Sequence, residues 1–249
     1  IIAPRGEFNK NALELKKIKK SIYLAFFKIL GLHKKIIFHS TNEYETLDIK
    51  NLFGNKVKVF EVKNIGEKPS LIMKSRSKKI NDNVFKIVFL SRIAKMKNLD
   101  FAIQSLRKIN KNIIFDIWGP ISDENYWLKC QNIIKNLPKN IIIDYKGVAK
   151  QKNVPSILSK YDLLFLPSLG ENFGHVISES FSVGTPVLIS NNTPWKNLEI
   201  NGLGWDLPLT NNNVFKDAIL RARDLYKKNP ALWRMRVIDY AEKNFNYDE

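Results

Sequence analysis

Two glutamates, Glu171 and Glu179, stand with seven residues between them in the stretch Gly170-Glu171-Asn172-Phe173-Gly174-His175-Val176-Ile177-Ser178-Glu179. The apolar run Leu163-Leu164-Phe165-Leu166 before it reads as a strand, and residues 174–183 read as a helix, so the pair flanks a strand-to-helix turn. Amides near Phe173, Gly174 and His175 would then point out of a helix N-terminus, an end that favours negative charge. Carboxylates add what amides and lysines cannot, which is to accept hydrogen bonds from the paired hydroxyls of a sugar or ribose. Two acids thus bracket one amide-lined pocket, although taken singly Glu171 is as readily a helix-start residue and Glu179 an ordinary surface acid. Arg92 and Lys97 are two of 41 basic residues, and only their position just after the first strand of a series singles them out. Ser91 offers an amide or hydroxyl donor at the same turn. His175 is read as structural or solvated, not as a proton shuttle.

Several other chemistries have no signature here. Gly-x-Gly-x-x-Gly, Gly-x4-Gly-Lys-Ser/Thr, His-Glu-x-x-His and Gly-x-Ser-x-Gly are all absent, and Gly202-Leu203-Gly204 alone means a turn. No Asp-x-Asp pair is present to clamp a divalent ion onto a diphosphate, so no metal and no cofactor are expected.

The elements that must position these residues fall into two rhythms. From residue 84 onward, short apolar runs at 84–90, 112–118, 141–145, 162–166 and 186–190 alternate with helical patterns at 98–109, 123–137, 152–160 and 174–183. Runs apolar on both faces are strands covered by helices on each side, and the alternation implies a parallel sheet whose ligands bind beyond the carboxyl ends of its strands. Residues 211–229 and 230–245 close the chain as two helices. Before residue 84, the pattern predicts a basic amphipathic helix over 11–32 with a stripe of Leu15, Ile18, Ile22, Phe26 and Ile29. It then predicts a strand over 35–39, a helix over 41–53 capped by Ser40 or Thr41, and a strand over 56–62. Residues 63–82 lack periodicity and read as an interdomain connection.

Composition bounds the rest. With 249 residues, 44% hydrophobic and 26% charged, the chain has material for a packed core, which excludes disordered and collagen-like classes. Cys130 is the only cysteine, so neither an intrachain disulfide nor a multi-thiolate zinc site is possible, and a reducing compartment is the simplest home. The longest nearly apolar run, residues 22–32, is broken by Lys28 and is far short of the roughly 20 residues of a membrane span. The net charge of +17 comes mostly from 33 scattered lysines, which fits a solvated surface better than a nucleic-acid footprint. Of the tryptophans, Trp118 and Trp195 are the two placed to line a cleft. The first residues, Ile1-Ile2-Ala3-Pro4-Arg5-Gly6, lack a signal-peptide order, and the start is read as a cut.

The spacing of Glu171 and Glu179, followed by Gly184-Thr185-Pro186-Val187, resembles the retaining GT-B glycosyltransferases of family 4. So do Phe89-Leu90-Ser91-Arg92 with Lys95-Met96-Lys97-Asn98, Phe115-Asp116-Ile117-Trp118-Gly119-Pro120, Asp144-Tyr145-Lys146-Gly147-Val148 and Tyr161-Asp162-Leu163-Leu164-Phe165-Leu166-Pro167-Ser168. Thr193-Pro194-Trp195 and Gly202-Leu203-Gly204-Trp205 recur among transferases that build bacterial surface glycans, and Ala3-Pro4-Arg5-Gly6-Glu7 resembles the last third of the family's first domain. The resemblance implies an α/β fold, a Rossmann-like parallel sheet flanked by helices that forms the C-terminal half of a GT-B fold, with a partial second domain. The expected division is residues 1–68 as the tail of an acceptor domain and 69–249 as the donor domain.

The resemblance also implies roles. Glu179 is expected on the ribose hydroxyls and Glu171 on the donor sugar, with Asn172, Phe173 and Gly174 supporting sugar and phosphate. Arg92 and Lys97 are expected to face the diphosphate, with Ser91 and Gly119 beside them, and main-chain atoms of Val148 to edge the base. Cations and helix amides would stabilise charge on the leaving diphosphate more in the transition state than before it, in place of a metal. The implied partners are a nucleotide-diphosphate sugar and a glycan or lipid-linked acceptor of cell-surface polysaccharide synthesis, with no nucleic acid. The implied location is cytoplasmic, with contact to an anionic face of the plasma membrane as an extension motivated by charge alone. A fragment lacking most of the acceptor domain is expected to be inactive by itself. Two readings compete: a basic membrane-surface or nucleic-acid module, and a degenerate transferase-like protein kept for assembly.

Overall fold

The structure, a computed structural model, describes residues 1–14, 17–62 and 84–245. The chain divides into two compact units, one of Ile1–Asn64 with Gly170–Phe173 and Asn192–Pro194, the other of Ile65–Leu169, Gly174–Asn191 and Trp195–Glu249. The expected boundary at residue 68 and the connection over 63–82 lie outside the described residues.

The first unit holds helices α1 (Lys10–Glu14), α2 (Lys17–Ile29) and α3 (Leu32–Lys35), then β1 (Ile37–Ser40), α4 (Glu43–Phe53) and β2 (Lys58–Glu61). β1 and β2 pair in parallel across the α4 crossover, Phe38 opposite Val59. Phe27, Phe38 and Ile49 are buried there, with Phe8 and Phe53 packed on them. Three expectations are corrected. The helix expected over 11–32 is described as α1 and α2, with residues 15 and 16 outside the described residues, and a separate α3 takes Lys35 out of the expected strand. Its stripe is the outward side of α2: Ile18, Ile22, Phe26 and Ile29 are exposed by 54–80%, while Leu24 and Phe27 are buried. Both arcs of α2 are apolar, and periodicity does not say which one meets the aromatic cluster. The cap of α4 is Asn42, whose side chain accepts from the Glu45 amide, not Ser40 or Thr41. Glu45, in the first turn of α4, is buried and accepts from the Gly6 amide at 2.8 Å and the Thr41 amide at 2.8 Å.

The second unit is a six-stranded parallel sheet: β3 (Phe85–Leu90), β4 (Ile113–Trp118), β5 (Ile141–Tyr145), β6 (Leu163–Leu166), β7 (Val187–Ser190) and β8 (Gly204–Leu207). Its spatial order is β5-β4-β3-β6-β7-β8. Strand order therefore reverses between β3 and β6, and right-handed crossovers put the intervening helices on opposite faces on either side of that point. Helix α5 (Leu99–Leu106) packs on α6 (Glu124–Ile134) and α9 (Asn212–Lys228), and α8 (His175–Ser182) packs on α7 (Val154–Leu158) and α10 (Pro230–Asn244). The central strands are buried as their apolar composition demands: every residue of β6 and of β7 is inaccessible, whereas the edge strand β5 is largely exposed.

β8 is the strand that the sequence pattern misses. It opens on Gly204, where a Cβ would lie 1.8 Å from the Val187 carbonyl oxygen, so the glycine that looks like a turn is what lets the last strand close on β7. The Gly184-Thr185-Pro186-Val187 element likewise has a structural role. Gly184 turns at φ 70 against the Arg234 carbonyl, and the Thr185 hydroxyl donates to the Leu158 carbonyl at 2.9 Å, fixing the entry into β7.

Candidate functional site

In an open parallel sheet the crevice for a ligand lies beyond the carboxyl ends of the strands, where the strand order reverses. Here that point falls between β3 and β6, and the turns that follow these strands carry the residues singled out by type and spacing. In the second unit the turns are tied to one another through backbone. The Ser91 amide donates to the Trp118 carbonyl at 3.0 Å, Ile93 to Pro120 at 2.9 Å, and Gly119 to Gly147 at 2.8 Å. Gly119 adopts φ 139, and a Cβ on it would sit 1.9 Å from the Ser91 carbonyl oxygen. Only glycine permits the β3 and β4 turns to approach this closely.

On the other side of the switch point, the Leu169 amide donates to the Met96 carbonyl at 2.8 Å, and the Asn98 side chain donates to the Pro167 carbonyl at 3.1 Å. The 3-10 turn Lys95–Lys97 is thereby held against the end of β6, with Asn98 in a left-handed conformation (φ 57) starting α5. Ser91, Arg92, Lys97, Gly119 and Val148 are thus carried on one connected rim, Arg92 exposed and Val148 65% exposed.

Glu179 lies in the second turn of α8 and is 4% exposed. This corrects the reading of it as an ordinary surface acid: it is enclosed, and its Oε1 accepts from the Gln151 side-chain amide at 2.6 Å. Gln151 opens a 3-10 turn, Gln151–Asn153, three residues beyond Val148. The α8 N-terminus begins at Gly174 in a left-handed conformation (φ 79), with no side chain capping it.

Glu171, Asn172 and Phe173 count with the first unit. The Glu171 amide donates to the Asn192 carbonyl at 3.2 Å, the Asn172 side chain donates to the Thr41 hydroxyl at 2.7 Å, and the Asn42 side chain donates to the Asn172 carbonyl. Gly6 packs on Asn172, where a Cβ would meet the Asn172 Cβ at 3.1 Å. The loop is therefore shaped by Gly6, Thr41 and Asn42, none of which the sequence pattern ties to it. Their roles depend on chain separations of 130 residues or more, for which local spacing carries no signal.

A polar cluster under the rim was also missed. The Tyr161 hydroxyl donates to Asp116 at 2.7 Å and accepts from the Trp118 indole at 3.1 Å. Burial pushes the Tyr161 ionisation well above its ordinary range, and the Asp116 carboxylate reinforces this against the Trp118 hydrogen bond, so the phenol stays a proton donor. Trp118 is thus fixed by its indole, and Trp195 packs edge-on against Phe181 and Phe245, in keeping with a shell role. Lys146, after β5, is held protonated first by its hydrogen bond to Asp144 (2.7 Å) and is 3.7 Å from Asp116.

The second unit is thus a doubly wound parallel sheet with cations after its first strand and a buried carboxylate on the helix after its fourth. The profile of the family described as "Glycosyl transferases group 1" matches residues 73–243, and the chain belongs to that family. It is 26% identical over 184 residues to a Klebsiella pneumoniae protein described as an "uncharacterized 41.2 kDa protein in cps region", covering 72% of this chain and 49% of that one. It is 28% identical over 167 residues to the GtfA subunit of the UDP-N-acetylglucosamine–peptide N-acetylglucosaminyltransferase of Streptococcus pneumoniae serotype 4, covering 63% and 31%. The chain spans half or less of the length of these relatives. The crystal structure of Anabaena HepE in complex with UDP and glucose shares the fold, with a TM-score of 0.71 at 16% identity over 90% of this chain and 64% of that one. The Rossmann-like sheet expected of a GT-B donor domain is the fold found.

Proposed function

We propose that the chain binds a nucleotide-diphosphate sugar and is the donor-binding part of a retaining hexosyltransferase that works without a divalent ion. The observation that carries this reading is the buried Glu179 carboxylate, held by Gln151 on the same rim of turns that carries Ser91, Arg92 and Lys97. Glu179 accepts from ribose hydroxyls, Arg92 and Lys97 neutralise the diphosphate, and the Val148 backbone edges the base. Similarity to a UDP-N-acetylglucosamine–peptide N-acetylglucosaminyltransferase supports a uridine donor as the first choice to test. As the bond from the anomeric carbon to phosphate breaks, charge grows on the leaving diphosphate, and fixed cations with the α8 amides stabilise it most at the transition state. Glu171, with Asn172, Phe173 and Gly174, contacts the donor sugar.

We further propose a glycan or lipid-linked acceptor of cell-surface polysaccharide synthesis. The exposed apolar side of α2, flanked by Lys19 and Lys28, supports cytoplasmic action at an anionic membrane face. Calorimetric titration with UDP-, GDP- and ADP-sugars in the presence of EDTA tests the donor reading. One donor should bind saturably, and Glu179→Ala should weaken it at least about tenfold. A folded sample that binds none of them, or only with added metal, overturns the reading.

A further inference from the structure

Gln151 belongs to no motif and carries no assigned role, yet its side-chain amide donates to the carboxylate on which the donor reading turns. Its Nε2 lies 2.6 Å from Glu179 Oε1, a short bond of the charge-assisted kind. The loop that supplies it is tied down at both ends. Gly147, at φ 79, accepts from the Gly119 amide at 2.8 Å, and the Asn153 amide closes onto the Lys150 carbonyl at 2.8 Å. Directly beyond Asn153 begins α7, which packs on α8, the helix that carries Glu179. Val148, the backbone candidate for edging the base, is three residues before Gln151 in this braced loop.

We propose that Gln151 is a positioning residue for the nucleoside: it fixes the Glu179 carboxylate in the orientation that accepts ribose hydroxyls and couples it to the loop that borders the base. This rests on the donor reading above and deepens it. An amide suits the task because it donates to the carboxylate without neutralising it, whereas a lysine there would compete with the ribose for its charge. A purely structural role, in which Gln151 only satisfies a buried carboxylate, makes a different prediction: its loss would weaken every nucleotide alike through the fold.

The test is calorimetric titration of the chain with UDP and with 2′,3′-dideoxy-UDP, for the unmodified chain, Gln151→Met and Gln151→Glu, with the melting midpoint of each recorded. Gln151→Met keeps the length and volume and removes the donor, and should lose about tenfold in affinity for UDP and less than about twofold for the dideoxy analogue. Gln151→Glu sets a second carboxylate against Glu179. It should bind UDP poorly at about pH 8 and recover relative to the unmodified chain toward about pH 5, as one proton comes to be shared between the two acids. Equal losses for UDP and the dideoxy analogue, or a Gln151→Glu profile parallel to that of the unmodified chain, overturn the proposal while leaving the donor reading intact. Failure of the unmodified, folded chain to bind UDP, GDP or ADP overturns both.

Discussion

Gly119 is the residue on which the rim's geometry depends most narrowly. Its φ of 139 and the 1.9 Å separation between a would-be Cβ and the Ser91 carbonyl oxygen leave alanine no place without parting the β3 and β4 turns. Gly119→Ala should therefore cost at least about 2 kcal/mol of stability in urea and weaken nucleotide binding together with it. An alanine variant with unchanged stability and affinity would show that the two turns are not braced through this contact. At this scale the sequence was informative where chemistry leaves a spacing. Glu171 and Glu179 stand out by their interval, and Arg92 and Lys97 by following the first strand. Gln151, Tyr161 and Asn98 do not stand out, because a lone polar residue in a polar loop has no period and its partner lies 28 to 69 residues away. The burial of Glu179 also escaped the pattern, since one turn of helix with three serines around the acid reads as solvent-facing.

Helices α5 and α6 are joined by small polar ties that respond to pH. At the start of α5, Asp100 accepts from the Tyr126 hydroxyl at 2.6 Å and from Lys129, both on α6. Burial works to raise the Asp100 pKa, but the hydrogen bonds from Lys129 and Tyr126 outweigh it and hold the group below the ordinary 3.8. A depressed carboxylate contributes stability that is present above its unfolded value and is lost as pH falls through the folded one. Asp100→Asn should accordingly destabilise the α5–α6 contact at neutral pH, with the difference from the unmodified chain shrinking below about pH 4. A pH-independent difference in urea midpoints would refute this. Strands of the second unit were legible because a strand covered on both faces must be apolar throughout; β8 was not, because four residues beginning with glycine look like a turn. α2 was legible as a helix but not in its facing, since Ile18, Ile22, Phe26 and Ile29 form as good a stripe as the one that Leu24 and Phe27 bury.

Across the whole molecule, the charge of +17 and the single cysteine set what reagents and partners meet. Cys130 is inaccessible on α6, and burial, helped by the Asp100 charge, pushes its pKa up to about 12. The thiolate that would react is thus scarce as well as covered. Under native conditions a thiol reagent should modify Cys130 only at the rate of local or global opening, and promptly in denaturant. Rapid stoichiometric reaction in the folded state would contradict the packing described for α5 and α6. The fold class was readable from the alternation of apolar runs with helical patterns. The allocation of Gly170–Phe173 and Asn192–Pro194 to the first unit was not, because it depends on contacts between distant segments such as those of Thr41 and Asn42 with Asn172.

The central claim is that the carboxyl edge of the sheet, at the switch between β3 and β6, takes a nucleoside diphosphate. A crystal structure of the chain grown with UDP tests it most directly. The account predicts ribose hydroxyls on Glu179, the diphosphate within reach of Arg92 and Lys97, and the base along the Val148 backbone. Nucleotide density away from that edge, or a ribose that makes no contact with Glu179, would contradict it.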